Sequence, residues 1–425
     1  MSRKKHPWYR RRGYPHFDHP ISFADAESLV TDPIQVSRHS FYPFIEFTAQ
    51  SVKVKRAPPS GKLKRIPKTR PIAYASHADS HIYSYYSLQL SKKYEIELGR
   101  RHVGSHVLAF RSLQKSNVDF AFEAFEAIQN SGECSVVALD ITGFFNNLDH
   151  EILKKAWASV LGSSQLPPDH YAVFKSITKY STVNLEKLYG LLGISLNNRS
   201  SAPKRLCTAE EFRSKVRASG LVVRNVEPKG IPQGSPISAL LSNIYMLEYD
   251  VILSIFVQSI GGRYFRYCDD ILLIVPSARK MDAEAIAIAE IKKLGLEINS
   301  SKTDRVDFIV SGTELIASKP LQYLGFLYDG RRIFLRSASL ARYSQRMRAG
   351  VRLAKLSMQK RNVARLERGE GARPLFKKKL YQQYSHLGRR NFLTYGYDAA
   401  RKMGAPSIRK QLKSLWKRLR AEMES

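Results

Sequence analysis

Arg266-Tyr267-Cys268-Asp269-Asp270-Ile271-Leu272-Leu273-Ile274-Val275 is the stretch that decides the fold. Two adjacent carboxylates stand between Tyr264-Phe265 and an apolar run, which predicts a hairpin with both acids at its tight turn. Packing two negative charges into so small a volume is costly unless a cation neutralises them. An Asp-Asp pair is also an ordinary solvated turn. What shifts the reading is a third carboxylate, Asp140, at the end of a second buried-looking strand, Val136-Val137-Ala138-Leu139. Three carboxylates at the tips of neighbouring strands suit two Mg²⁺ ions and phosphoryl transfer.

Outward from these acids, Thr69-Arg70-Pro71-Ile72-Ala73 reads as a strand and Ala78 to about Leu98 as a helix. Phe120–Ile128 is a further helix, ending near Gly132, and Asp149 caps a helix over His150–Leu161. Residues 162–228 show turn signals and no catalytic signal, and read as an elaboration of the core. Ser235 as cap and Pro236 at the first helical position start a long helix with the face Ile237, Leu240, Leu241, Ile244, Leu247 and Val251. Ala283–Leu294 is helical, and residues 321–328 and 331–335 form a hairpin around Asp329-Gly330. From Ala338 onward the chain is basic helix, broken near Gly369–Gly371 and Gly404–Pro406. In residues 1–50, rich in aromatic and basic side chains, five prolines discourage long helices.

The 425 residues carry 69 Lys+Arg against 37 Asp+Glu, a net charge of +32. The excess sits at the two ends: +10 over residues 1–70, +21 over 331–425 and only +1 between them. A near-neutral body with basic flanks implies a polyanionic partner, most simply nucleic acid. Three cysteines without zinc-ligand spacing give neither a disulfide framework nor a zinc site. No signal peptide and no apolar run near 18 residues is seen, which predicts a cytoplasmic protein without a membrane partner.

Taken in order, these segments resemble the palm of a reverse transcriptase. Leu139-Asp140-Ile141-Thr142-Gly143-Phe144-Phe145 resembles the first catalytic motif of that family, and Gln233-Gly234-Ser235-Pro236 its template- and nucleotide-positioning motif. Tyr267-Cys268-Asp269-Asp270 is similar to the Tyr-X-Asp-Asp signature. Leu296–Thr303 and Leu321–Phe326 resemble the two motifs that follow. The resemblance covers about residues 60–330. It implies an α+β right-hand polymerase: an extension over 1–50, fingers over 51–135, a palm over 136–330 with an insertion at 162–228, and a basic helical thumb over 331–425.

The resemblance also implies roles. Asp140, Asp269 and Asp270 would hold two Mg²⁺ ions, with Mn²⁺ as a substitute, for catalysis on a primer 3′-hydroxyl and a triphosphate. Lys302 matches a lysine that protonates the leaving pyrophosphate; a plain surface lysine is the alternative. Lys68 and Arg70 match basic positions that hold the triphosphate, and Ile141 adjoins the nucleotide. Phe145 matches an aromatic gate against the ribose 2′-hydroxyl, with core packing as its alternative because Phe144 stands beside it. Gln233 and Gly234 would form the floor under the incoming base pair, where glycine allows close backbone approach. Tyr323, Leu324 and Gly325 match positions that place the primer end. Asp149 reads as a helix cap rather than a further ligand.

After residue 330 one histidine and five acids make neither a ribonuclease H site nor a zinc nuclease. His150-Glu151 is followed by Lys154 where a zinc-protease helix needs histidine, and nucleotide-binding glycine loops are missing. The chain therefore resembles the compact bacterial reverse transcriptases of the retron and group II intron-like superfamily, most of all the type 2 members of the "unknown group" linked to defence. That resemblance implies an RNA-directed DNA polymerase making cDNA from dNTPs on a structured non-coding RNA template, in antiphage defence. Two other readings stand beside it: a template-independent nucleotidyl transferase or RNA polymerase with the same palm, and an inactive RNA-binding scaffold. Template identity, priming mode and oligomeric state have no sequence signal.

Overall fold

The computed structural model describes residues 6–56, 63–197 and 203–425. Helices in the N-terminal region are short, as its prolines dictate. α1 (Phe23–Thr31) starts on Ser22, whose hydroxyl accepts from the Asp25 amide, and α2 (Pro33–Ser37) starts on Asp32 with a proline at its first position. β1 (Phe44–Arg56) and β2 (Leu63–Tyr74) form a long antiparallel ribbon in which Ile45 faces Tyr74 and Thr48 faces Pro71. The strand expected at Thr69–Ala73 is thus the inner end of a longer one. α3 (His77–Arg100) follows, capped by Ser76 and buried along Ile82, Tyr86, Leu90, Tyr94 and Leu98. α4 (Asn117–Ser131) ends at Gly132, and β3 (Cys134–Asp140) carries the first candidate acid. Asp149 accepts from the amides of Glu151 and Ile152, both at 2.9 Å, and so caps α5 (His150–Leu161).

The stretch 162–228 holds α6 (Pro168–Thr178), β4 (Ser181–Asn184), α7 (Leu185–Leu191), α8 (Ala209–Glu211) and β5 (Val223–Arg224). It widens the ribbon: β4 lies parallel to β1, with Ile45 opposite Val183, and the sheet runs β2-β1-β4-β5. One core joins Phe17, Ile45, Val183, Leu188, Phe212 and Val216.

The long helix expected from Pro236 is two helices, α9 (Ser238–Tyr245) and α10 (Leu247–Ser259), bent by 48° at Met246. Ser235 is not its cap. Helix begins later because the Gln233 carbonyl is held outside it by the Ala73 amide at 2.8 Å. The bend follows from packing: α9 lies against α3 and α5, whereas α10 faces the next strand and helix, β6 (Arg263–Tyr267) and α11 (Lys280–Lys293). Together α9 and α10 have the length and composition of a membrane span, but they are bent and largely buried; among the described residues no single helix is long and apolar enough to cross a membrane.

β6 turns into β7 (Asp270–Val275). Beyond α11 come β8 (Asp304–Ser311), β9 (Glu314–Ala317), β10 (Leu321–Tyr323), β11 (Phe326–Tyr328) and β12 (Ile333–Leu335). Residues 321–328 are therefore a hairpin of their own rather than one strand. Leu324 and Gly325 both take positive φ, +42° and +100°, the conformation a two-residue turn of this hand requires. Four helices close the chain: α12 (Ser337–Leu366), α13 (Lys377–Tyr384), α14 (Phe392–Lys402) and α15 (Pro406–Glu424).

The chain divides into two compact units, residues 1–111, 138–273 and 279–303 against residues 112–137, 274–278 and 304–425. In the first, β6, β7 and the last residues of β3 are neighbours in that order. The second contains β8–β12 and the terminal helices. There Ile408, Leu412, Leu415, Leu419 and Met423 form the buried stripe of α15, and the Gln411 amide brackets Leu335 of β12 through two hydrogen bonds.

In the first unit the N-terminal segment is fastened by aromatic stacking. Tyr9 lies on His81 at 4.9 Å and Tyr14 on His77 at 5.3 Å. Burial, then the charge on His77, holds His16 down at about 3; burial, then Arg12 and His77, holds His81 at about 4. Both rings are neutral in the fold, whereas the unfolded chain takes up their protons near pH 6.5. Stability should therefore fall as pH drops below 6.5, by about 1.4 kcal/mol per pH unit for each ring until its folded value is reached. Urea unfolding between pH 7 and pH 4 checks this, and replacing both histidines with glutamine should flatten the slope.

Candidate active site

β6 and β7 meet in a two-residue turn, Cys268-Asp269, with Asp270 as the first residue of β7. Cys268 takes φ +59°, the hand that suits a tight hairpin and that a side chain adopts at some cost. The turn is tied to β3 by its backbone: the Ile141 amide donates to the Asp269 carbonyl at 3.2 Å. One residue earlier, the Asp140 carbonyl accepts from the Asn299 amide at 2.8 Å, and Thr142 donates to the Glu297 carbonyl. Asp140, Asp269 and Lys302 are thus brought to one place by three segments lying about 30 to 160 residues apart in sequence.

The Lys302 ammonium hydrogen-bonds the Asp140 carboxylate. Lys68 feels the same charges. Burial lowers its pKa most, then Arg70 and Lys302, against the pull of Asp140 and Asp269. Lys68 is half-buried and Arg70 exposed on the same strand. Among the described residues no three His, Cys, Asp or Glu side chains form a ready-made metal-binding group. The acids are neighbours through their strands rather than a closed cage, with Lys302 as counter-charge. Their chemistry suits a hard divalent cation, which prefers carboxylate oxygens. Burial, then the charge of Asp269, raises the Cys268 thiol far above its usual range, so it stays a neutral donor to Asp269 and offers no thiolate to a softer metal.

Of the two phenylalanines after Asp140, Phe144 is buried and Phe145 is the partly open one. The Phe145 carbonyl accepts from the Ile231 amide at 2.9 Å, fastening it to the Gln233-Gly234 loop. Gly234 has φ +120°, and a Cβ there would lie 2.6 Å from the Ala73 carbonyl oxygen. Only glycine fits that approach. Ile141 is buried, and its visible part is to join the two acid-bearing strands. Tyr323, Leu324 and Gly325 lie in the second unit, where the Leu324 carbonyl accepts from the Asn117 side chain at 3.0 Å.

The sequence reading gave no role to Arg266. Its guanidinium is fully buried and donates from Nε and Nη2 to the two oxygens of Asp250, at 2.7 and 2.6 Å. Nη1 reaches the Asn243 side chain and the Cys268 carbonyl, both at 3.1 Å. The Tyr264 hydroxyl completes the cluster by donating to Asp250 at 2.6 Å. Burial opposes the charge on Arg266, but Asp250 outweighs it and keeps the guanidinium protonated. A signal was present: period-two alternation puts Tyr264, Arg266 and Cys268 on one buried face, and Asp250 falls between the apolar Tyr249 and Val251 of a largely apolar helix.

The model of the family described as reverse transcriptase (RNA-dependent DNA polymerase) matches residues 62–328. The chain belongs to the reverse transcriptase family. Its α+β fold and palm-type sheet are those expected from the sequence. Among solved structures it is similar to apo telomerase from Candida tropicalis truncated from its C-terminal domain, at 11% identity and TM-score 0.40 over 74% of this chain and 60% of that one. A second structure of apo telomerase from Candida tropicalis gives 11% and 0.40 over 78% and 57%. Telomerase from Candida albicans with the TWJ fragment of telomeric RNA gives 13% and 0.41 over 92% and 59%. The chain thus spans less than two thirds of the length of each. No curated protein matches it.

Members of the reverse transcriptase family are nucleotidyltransferases that generally use divalent metal ions. Gly234→Ala should push the Ala73 carbonyl away and impose a strained φ. The expected cost is about 1–3 kcal/mol in urea unfolding.

Proposed function

We propose that this reverse transcriptase copies a dedicated, structured non-coding RNA into cDNA from dNTPs, and that the product serves antiphage defence. The observation that carries the polymerase part is the hydrogen bond from Ile141 to Asp269, which sets Asp140 beside the Asp269-Asp270 turn with Lys302 and Lys68 around them. The choice of RNA and the defence role rest on the likeness of the sequence to compact defence-linked reverse transcriptases. The five acids after residue 330, on helices and helix ends, add nothing resembling a nuclease site.

Asp140, Asp269 and Asp270 would hold two Mg²⁺ ions, which Mn²⁺ can replace; when bound, these neutralise charge at the attacking hydroxyl and on the triphosphate. Lys68 and Arg70 grip the triphosphate as cations, Lys68 already partly stripped of water. Lys302, which here hydrogen-bonds Asp140, would pass a proton to the leaving pyrophosphate. Gln233 and Gly234 carry the base pair, and Phe145 closes the space beside the sugar C2′.

Phe145→Ala should accordingly erode the preference for dNTP over NTP about 10- to 100-fold while dNTP incorporation stays within a few-fold, as single-nucleotide kinetics will show. The reading as a whole is tested by sequencing the RNA and DNA that co-purify with wild type and with an Asp269→Ala/Asp270→Ala variant, and by plating phage on cells carrying each. One abundant RNA in both, with complementary DNA and phage resistance only in wild type, is expected. DNA unrelated to any bound RNA would replace the reading with template-independent synthesis. Resistance that survives the double variant would remove catalysis from defence.

A further inference from the structure

Next to the catalytic hairpin runs a short segment that the polymerase chemistry above leaves unused. The Leu108 amide donates to the Arg266 carbonyl at 2.9 Å, and the Arg266 amide to the His106 carbonyl at 2.8 Å, so Val107 pairs with Arg266 in parallel along the outer side of β6. Three residues beyond that bridge the segment turns at Phe110, as β6 turns at Cys268-Asp269.

Phe110 is unusual in two respects. Its φ is +61°, in the left-handed region that bulky residues rarely enter, and 49% of its surface is exposed. Its own burial therefore does not hold it there; its neighbours do. The Asn243 side chain donates to the Ala109 carbonyl at 2.9 Å while its oxygen accepts from Arg266, the same guanidinium that holds the Cys268 carbonyl. On the other side, Arg111 donates to the Val107 carbonyl at 2.7 Å and to both oxygens of Glu95. Two left-handed side-chain-bearing positions, Phe110 and Cys268, are thus fixed through one buried polar group.

We propose that Phe110 is a nucleic-acid contact of the polymerase, an aromatic face tied through Asn243 and Arg266 to the Cys268-Asp269 turn so that it packs on the primer–template duplex near the growing end. An exposed ring offers a sequence-tolerant surface to bases and sugars, as copying an arbitrary template requires. The reading rests on the reverse transcriptase function proposed above, and the basic flanks on either side of the near-neutral body that holds Phe110, +10 over residues 1–70 and +21 over 331–425, favour nucleic acid over another protein as the occupant.

Glycine at this position separates contact from scaffold, because glycine takes φ +61° freely. Phe110→Gly is expected to leave the thermal midpoint unchanged or raise it. It should weaken binding of a fluorescent RNA·DNA primer–template about ten-fold, the effect of losing one stacked base. With duplex at saturation, KM for dNTP should not move, and Phe110→Tyr should restore binding. Wild-type affinity in Phe110→Gly, or a midpoint that falls along with affinity, would overturn the proposal. Primer extension by wild type in the same samples reports separately on the polymerase reading. Wild type that binds duplex without extending it sinks that reading alone, and wild type that does not bind duplex sinks both.

Discussion

Asp269→Asn should lower primer extension on RNA by at least about 10³-fold, because a charge worth several kcal/mol to the transition state disappears while the side chain keeps its shape. The fold should be spared. Asp269 contributes its carbonyl to the bond from Ile141, and that survives the change. Its carboxylate is partly exposed at the turn and accepts from the Cys268 thiol, which an amide oxygen can also do. Extension assays with the thermal midpoint measured alongside decide the matter. Extension within ten-fold of wild type would remove Asp269 from the chemistry.

Asp250→Ala should have the largest effect on stability. Arg266 loses both oxygens that hold it, and Tyr264 loses its acceptor, all in a fully buried place. Leaving a charge buried without its partner costs about 3–5 kcal/mol. The midpoint in urea should fall accordingly. Replacing the pair together, Asp250→Leu with Arg266→Met, should recover most of that stability, since no buried charge is left uncompensated. Activity should stay low in the double variant, because the Cys268 carbonyl loses its donor beside the catalytic turn. If the double variant polymerised normally, the cluster would be a matter of stability alone.

Features set by neighbours in sequence were the legible ones. The hairpin at the acid pair, the strand ending at Asp140 and the cap at Asp149 each depend on a few adjacent residues and are where the sequence places them. Asp270 is the exception: expected in the turn beside Asp269, it is the first residue of β7, and the turn is Cys268-Asp269. The choice between Phe145 and Phe144 is not legible in the sequence, since facing direction after a strand end depends on a loop 86 residues away that binds the Phe145 carbonyl. The break at Met246 was hidden because both halves of the helix are apolar, and only their different packing partners separate them. β4 and β5 are four and two residues long. Strands that short exist through pairing with β1 and each other, so no local pattern marks them. The turn at Leu324-Gly325 was missed because leucine rarely takes positive φ, which let 321–328 read as one strand.

The core shared by Phe17, Ile45 and Phe212 has a bearing on how the protein is made. A ribosome releasing this chain from its N-terminus exposes Phe17 and the first strand of the ribbon long before Phe212 and Val216 emerge. During that interval the growing chain holds an unfinished sheet edge with apolar residues and no partner for them, the kind of surface that misassembles or recruits a chaperone. Closure across nearly 200 residues of sequence is entropically slow. Production of active protein should therefore gain from slower translation, or lower temperature, over the segment that ends at residue 216.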